Sequence, residues 1–330
     1  MPRIFYLPII SFAFLLTGNS LPAQVTANVR PDIIQVTTFN DTALHNMVKT
    51  NQIYEAGLDT LPQILFWRRI MHLTPDSGIV SLASNRFIYS QVSTLSWDNL
   101  GTAGQDAYRD SVRKKYVLND SASVLFTKGK NDFYDASAVI PQIDRAIPIF
   151  VQQGVDPFFA QAILLIESPG KTLKSNVGAN GAFQLMKSVA IQMGLKVNKT
   201  VDERKDFEKA SWAAAKLLRT VCIPYTRSML EKRGIAYNEN DLWFRLLVLH
   251  VYHAGAGNVD KALTVIAPCD GGMQLIETLW QTKAGAFGKS SQSYSQLAIS
   301  ALLDLDAIYG IHTETARINK TPLENQESPH

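Results

Sequence analysis

The sequence predicts a mainly α-helical protein that is built in two parts. Apolar residues recur at intervals of three and four over several long segments, which is the spacing of an amphipathic helix. Residues 121–134 are the one segment that we interpret as a short strand, followed by a Lys-Gly-Lys turn. With 330 residues the chain exceeds the usual size of a single domain, so we expect one large domain or two unequal ones.

Residues 1–23 have the layout of a secretory signal peptide. Arg3 is followed by an apolar stretch that runs to Leu16, and then by small and polar residues. Cleavage after Ser20 and cleavage after Ala23 both fit this pattern. No later segment contains about 18 uninterrupted apolar residues, so we expect no transmembrane span in the mature chain.

We predict that residues 24–140 form a mostly helical accessory region. The apolar residues of segments 61–73 and 106–118 predict two helices. A third predicted helix would be capped by Asp76 or Ser77 and continue through Ile79, Leu82 and Phe87.

Residues 141–310 are predicted to form a second domain, followed by a polar, flexible tail over residues 311–330. A helix should end at Gly154, and Asp156 and Pro157 suit the start of the next helix. That helix would place Glu167 in its last turn. Further helices are indicated in residues 210–222 and 241–257, and Asp260, like Asp156, looks like a helix cap.

Composition and charge exclude some functions. A formal net charge of +3, spread along the chain, does not suggest a nucleic-acid-binding protein. No zinc motif is present and the six histidines are scattered, so we expect no metal and no cofactor. Cys222 and Cys269 are the only cysteines, and in an exported protein they predict either a disulfide or two free thiols. The sequence leaves both alternatives open.

Glu167 has an unusual position for a carboxylate, because it follows a run of apolar residues and precedes Ser-Pro-Gly. Burying an ionised carboxylate is costly unless the group is paired or remains protonated. Two further motifs follow in the chain. The first is SNVGANGAFQLM at residues 175–186, and the second is VYHAGAGNV at residues 251–259.

In this order the three motifs resemble those of lytic murein transglycosylases of the soluble-transglycosylase (SLT) type, which have a lysozyme-like fold. The family pattern is an ES pair, then S-x-x-G-A-x-G-x-x-Q-L-M, then A-Y-N-A-G-x-G-x-V. This chain has His253 in place of the asparagine. If Tyr294 is a late tyrosine of the family, Ser290 stands where a glutamate often precedes it. The resemblance covers about residues 145–310 and leaves residues 25–140 unexplained.

The resemblance implies an enzyme, a peptidoglycan lytic transglycosylase, in which Glu167 is the single catalytic acid and then the base. The enzyme would cleave the MurNAc-GlcNAc β-1,4 bond and form a 1,6-anhydromuramyl end. The expected substrate contacts are Ser168, Ser175, Gln184, Met186, Tyr252 and His253, and the expected turn glycines are Gly178, Gly181 and Gly255. An apolar setting would keep the acid protonated near neutral pH.

Two alternatives remain at this point: a hydrolytic muramidase, and a peptidoglycan-binding protein without activity. A hydrolase ordinarily uses two carboxylates, and the matching motifs supply one. The expected partners are peptidoglycan glycan strands, with a further envelope protein held by residues 24–140 left open. The expected location is the periplasm, with peripheral attachment to the outer membrane also open.

Overall fold

The structure is a computed structural model that describes residues 32–38, 41–129, 135–168 and 178–309. The predicted signal peptide at residues 1–23, the predicted tail at residues 311–330 and Ser175 lie outside the described residues. The helix-forming segments dominate, which confirms the predicted mainly helical fold.

An antiparallel hairpin begins the described part of the chain. It pairs β1 (Ile33–Thr38) with β2 (Asp41–Val48). The side-chain amide of Gln161 accepts from the Val48 N–H at 2.8 Å and donates to the Val48 carbonyl at 3.0 Å. Gln161 is fully buried in the helix that ends at Glu167, so this pair fixes the hairpin to the helix that bears the candidate acid.

Two helices and a three-stranded antiparallel sheet follow. The helices are α1 (Asn51–Glu55) and α2 (Pro62–Met71), and the strand order is β4-β3-β5. The predicted helix at residues 61–73 and the predicted strand within residues 121–134 are both confirmed. The remaining elements here are β3 (Ser77–Leu82), β4 (Ile88–Ser93), α3 (Thr94–Asn99), α4 (Gly101–Lys115) and β5 (Val124–Lys128).

The predicted helix that would be capped by Asp76 or Ser77 is wrong, because this segment forms β3 and β4. β3 is the central strand and is buried on both faces, so its apolar residues show no alternation. A Cβ built on Gly78 would lie 2.2 Å from a ring atom of Phe126 on β5. The glycine therefore lets the Phe126 ring lie over the backbone of β3, a tertiary requirement that the local pattern does not reveal.

The largest core is formed by the helices from α5 onwards. It also includes buried residues of β1, β2, α1 and α2, so these elements share one core with the later helices. α6 packs against α5, α10 and α13. The helices are α5 (Ala136–Gln152), α6 (Phe158–Glu167), α7 (Lys187–Gln192), α8 (Phe207–Leu217), α9 (Ile223–Glu231), α10 (Leu242–Ala254), α11 (Ala256–Ile266), α12 (Met273–Leu279) and α13 (Lys289–Tyr309).

The helix ends around α6 follow the predicted signals. Gly154 has a φ of 69° and its N–H donates to the Val151 carbonyl after α5. The Asp156 carboxylate accepts from the Phe158 N–H at the start of α6. The prediction for Asp260 is wrong, since this residue lies inside α11 and its carboxylate pairs with Arg233 at 2.8 Å.

Within the described residues, no helix is both long and apolar enough to cross a membrane.

Candidate active site

Glu167 is the last residue of α6 and opens into a pocket of about 220 Å³. The helix is almost entirely apolar, and its residues from Phe158 to Leu165 are buried. Only the end of the helix reaches the pocket, so Glu167 lies at the boundary between the apolar core and the cleft. The pocket is lined by Glu167, Ala179, Gln184, Leu185, Met186, Val189, Leu217, Tyr252 and His253.

The surroundings of Glu167 keep its carboxyl protonated at a higher pH than usual. Burial raises the pKa of Glu167 from 4.5 to about 7, and a hydrogen bond from Tyr294 opposes this rise in part. The Tyr294 hydroxyl donates to Glu167 Oε1 at 2.8 Å. A carboxyl with this pKa exists in both protonation states at neutral pH, which is what a group that serves as acid and then as base requires.

Tyr294 is a site residue that the motif comparison did not include among the substrate or catalytic positions. It is buried on α13, about 130 residues after Glu167 in the chain. Its ring stacks on His253, with the ring centroids 4.3 Å apart and the planes 23° apart. The signal that could have found it was its match to a late tyrosine of the family.

His253 stands where the family pattern has asparagine. One face of its ring covers Tyr294 and another part of the side chain is exposed to the pocket. Partial burial lowers the pKa of His253, which favours the neutral imidazole near pH 7. The structure places His253 in the pocket wall, and its contact with substrate stays a prediction.

Tyr252 lines the pocket, but its hydroxyl does not hold Glu167. The hydroxyl donates to the Phe183 carbonyl at 2.7 Å, which ties α10 to the Gly-rich segment, residues 178–186. Burial raises the pKa of Tyr252, so the hydroxyl remains a donor. It is the Tyr294 hydroxyl, and not that of Tyr252, that donates to Glu167.

The Gly-rich segment is held in place by Arg204. Its Nη1 donates to the Gly178 carbonyl at 2.8 Å and to the Leu185 carbonyl at 3.0 Å. The opposite edge of the guanidinium pairs with Asp202, whose pKa is held well below its usual range mainly by the Arg204 hydrogen bond. Arg204 is itself buried, and together with Asp202 it fixes the Gly-rich segment that forms one wall of the pocket.

Two glycines allow the backbone of this segment to turn, as predicted. Gly178 has a φ of 92° and Gly181 has a φ of 80°, a region that favours glycine. A Cβ on Gly181 would lie 1.8 Å from the Arg204 carbonyl oxygen, so only glycine fits at this approach. Gly255, with a φ of 80°, separates α10 from α11 and donates to the Val251 carbonyl at 2.9 Å.

Gln184 and Met186 lie in the pocket wall at the end of the Gly-rich segment. Gln184 has a φ of 45°, and its side-chain amide donates to the Gly181 carbonyl at 2.9 Å. Met186 is 42% exposed, although it is a large apolar residue. Both residues line the cleft, and their contact with substrate stays a prediction.

Ser168 differs from the prediction that it contacts substrate. It is fully buried, and its hydroxyl donates to the Ala182 carbonyl at 2.9 Å. Its N–H continues the helical bonding to Leu164 at 3.0 Å. Ser168 therefore connects the end of α6 to the Gly-rich segment, and it does so because a short hydroxyl can satisfy a buried carbonyl.

Both cysteines are free thiols in the structure, so the disulfide that the sequence left open is not formed. Cys222 is buried and burial raises the pKa of its thiol to about 12, whereas Cys269 is partly exposed. In the described ranges, no three side chains of His, Cys, Asp or Glu are grouped as a metal ion would need.

The structure combines a mainly helical fold with a protonatable glutamate at the end of a buried helix, the arrangement that the resemblance to lysozyme-like transglycosylases implied. Residues 150–265 match the family model described as the transglycosylase SLT domain. The chain thus carries an SLT domain, and the members of this family are peptidoglycan lytic transglycosylases. The match includes Glu167, the Gly-rich segment and α10, and it ends before Tyr294. A comparison with curated proteins found no match to this chain.

Proposed function

We propose that the protein is an exported lytic transglycosylase that cleaves the MurNAc-GlcNAc β-1,4 bond of peptidoglycan and leaves a 1,6-anhydromuramyl end. The observation that carries this proposal is the carboxyl of Glu167, with a pKa of about 7, in the cleft of an SLT domain. A carboxyl with its ordinary pKa would be almost fully ionised at neutral pH and would be a poor proton donor.

In the first step Glu167 gives its proton to the glycosidic oxygen, and the bond from that oxygen to C1 of the muramyl residue breaks. The muramyl N-acetyl group assists the departure of the leaving sugar. Glu167 is now a carboxylate, and the Tyr294 hydroxyl, 2.8 Å from Oε1, stabilises the new charge. The hydrogen bond is therefore stronger after proton transfer than before it, which favours the transition state.

In the second step the Glu167 carboxylate takes the proton from the muramyl 6-hydroxyl, and the 6-oxygen attacks C1. The 1,6-anhydro ring closes, Glu167 is protonated again, and no water is consumed. One group can perform both steps because its pKa lies near the working pH.

The reaction with the substrate's own hydroxyl, rather than with water, is favoured by the composition of the pocket wall. Among the described residues that line the pocket, Glu167 is the one carboxylate. A hydrolase that follows the usual two-carboxylate mechanism needs a second carboxylate to act as nucleophile or to activate water.

We further propose that the glycan lies against the wall formed by Gln184, Met186, Tyr252 and His253. Met186 offers an exposed apolar surface, and Gln184 and His253 offer polar atoms. Ser175 is kept as a proposed sugar contact on the basis of the family motif.

The proposal includes export, with residues 1–23 as the signal peptide and the periplasm as the site of action. An SLT domain acts on the cell wall, which agrees with this location. Residues 24–140 are proposed as an accessory region and residues 141–310 as the catalytic domain, with a tail from residue 311. An envelope protein partner would be held by the accessory region.

The experiment is mass spectrometry of the muropeptides that the purified protein releases from sacculi, with Glu167→Gln in parallel. We expect 1,6-anhydro ends from the wild type and none from the variant. Reducing ends would instead indicate a muramidase. Binding to sacculi without any product from the wild type would indicate a peptidoglycan-binding protein and would contradict the proposal.

A further inference from the structure

A second pocket, of about 510 Å³, lies between the three-stranded sheet and the connection from α12 to α13. One wall is the β3–β4 turn, with Leu82 and Arg86, and the other includes Trp280, Lys283 and Gln292. Its volume is within the range of pockets that hold small ligands. Arg86 and Lys283 are the charged side chains among its described lining residues, so the pocket is cationic.

Arg86 is held in this wall by its surroundings. Its Cζ lies 5.0 Å from the centroid of the Phe66 ring and 5.8 Å from that of the Trp67 ring. The residue is half-buried, and burial lowers the pKa of its guanidinium. Within the described residues the guanidinium donates no hydrogen bond and forms no ion pair, so its N–H groups are available to a ligand.

The backbone at Arg86 is also strained. Its φ is 60°, which is uncommon for a residue other than glycine, and its N–H donates to the Leu82 carbonyl at 2.9 Å. Such conformations are concentrated at functional sites. Here the tight turn directs a long cationic side chain into a pocket rather than leaving it at the tip of an exposed hairpin.

We propose that this pocket binds a carboxylate of the peptide that peptidoglycan strands carry, an inference that rests on the proposed function. The planar guanidinium matches a carboxylate with two parallel hydrogen bonds, and a partly desolvated, unpaired cation gains most from an anion. Leu82 offers apolar surface to short aliphatic side chains, and Trp280, although buried, also lines the pocket. Gln292 provides a side-chain amide, one N–H of which donates to the Thr282 carbonyl at 2.8 Å.

Residues of α13 lie beside both pockets. Gln292 lines the cationic pocket, and Tyr294, two residues further along the helix, donates to Glu167. Side chains two positions apart on a helix point about 200° away from each other, so the two pockets lie on different faces of α13. The match to the SLT domain ends at residue 265, so the cationic pocket lies entirely outside the matched residues.

The test is calorimetric titration of the purified chain with a soluble tetrapeptide released from peptidoglycan, with its carboxylates free. We expect Arg86→Gln to weaken binding about tenfold or more and Lys283→Gln to weaken it about threefold, because Lys283 is exposed. Lys114→Gln removes a charge from an exposed position of α4, outside the pocket, and should leave the affinity unchanged. The same peptide with amidated carboxylates should bind at least tenfold more weakly.

Equal affinities of Arg86→Gln and Lys114→Gln, or of the free and amidated peptides, would overturn the proposal. Inorganic phosphate is a second probe: binding of phosphate that depends on Arg86, without binding of the peptide, would assign the pocket to phosphate and also overturn it. If Arg86→Gln does not fold, the comparison of Lys283→Gln with Lys114→Gln decides. Because the readout is binding, its failure is distinct from a failure of Glu167 to cleave glycan.

Discussion

Replacing Glu167 by glutamine should stabilise the protein above pH 7 and have little effect at pH 4. Burial raises the pKa of Glu167 from 4.5 to about 7, so the folded protein holds the proton more tightly than the unfolded chain does. The contribution to stability is thus complete below pH 4.5 and is lost as the pH rises through 7. Glutamine cannot ionise, and its carbonyl oxygen can still accept from Tyr294.

The expected size of this effect follows from the two pKa values. The difference between 4.5 and about 7 corresponds to about 3 kcal/mol of unfolding free energy at high pH. Glu167 is partly exposed to the pocket, and solvent screening reduces this figure, so we expect a gain of about 1 to 3 kcal/mol at pH 8.5.

The assay is urea unfolding at pH 4, 6 and 8.5, followed by circular dichroism, for the wild type and for Glu167→Gln. The control is Glu55→Gln, which changes an exposed glutamate at the end of α1. The other titratable groups are the same in the wild type and in Glu167→Gln, so the pH dependence of the difference between these two proteins reports on the Glu167 carboxyl. A difference that is the same at all three pH values would refute the reasoning.

Two further predictions concern the support of the site. Tyr294→Phe removes the hydrogen bond that lowers the pKa of Glu167. The maximal rate should fall about tenfold or more, and the alkaline limb of the pH–rate profile should move to higher pH. An unchanged profile would contradict this. Gly181→Ala places a Cβ 1.8 Å from the Arg204 carbonyl oxygen, so it should lower the free energy of unfolding by more than about 2 kcal/mol. In Gly178→Ala the added Cβ meets no atom within 4 Å, so this variant should lose only about 1 kcal/mol through backbone strain. Equal urea midpoints for the two variants would show that the close approach does not matter.

The sequence predicted the elements that depend on local signals. Gly154 ends α5 and Asp156 begins α6 because a left-handed glycine and a side-chain cap act within a few residues. The position of Glu167 at the end of an apolar helix was predicted in the same way, since the pattern and the following Pro169 are both local.

Features set by distant contacts could not be predicted from the pattern. The segment Ser77–Leu82 is buried on both faces between two strands, so it lacks the alternation that identifies a strand. Tyr294 reaches Glu167 from α13, and nothing near Tyr294 in the chain indicates that contact. The sequence around Ser168 likewise does not indicate that its hydroxyl donates to the Ala182 carbonyl, because this hydrogen bond forms only when the Gly-rich segment packs against the end of α6.

The central claim is that Glu167 acts as the single acid and base and that the substrate's own hydroxyl attacks C1. The most direct test is cleavage of sacculi in water enriched with oxygen-18. The proposed mechanism predicts that the muramyl ends carry no heavy oxygen and are 1,6-anhydro, and that Glu167→Gln produces none of them. Incorporation of one heavy oxygen at the new ends would show that water attacks C1. That result would contradict the proposed mechanism and assign the pocket to a muramidase.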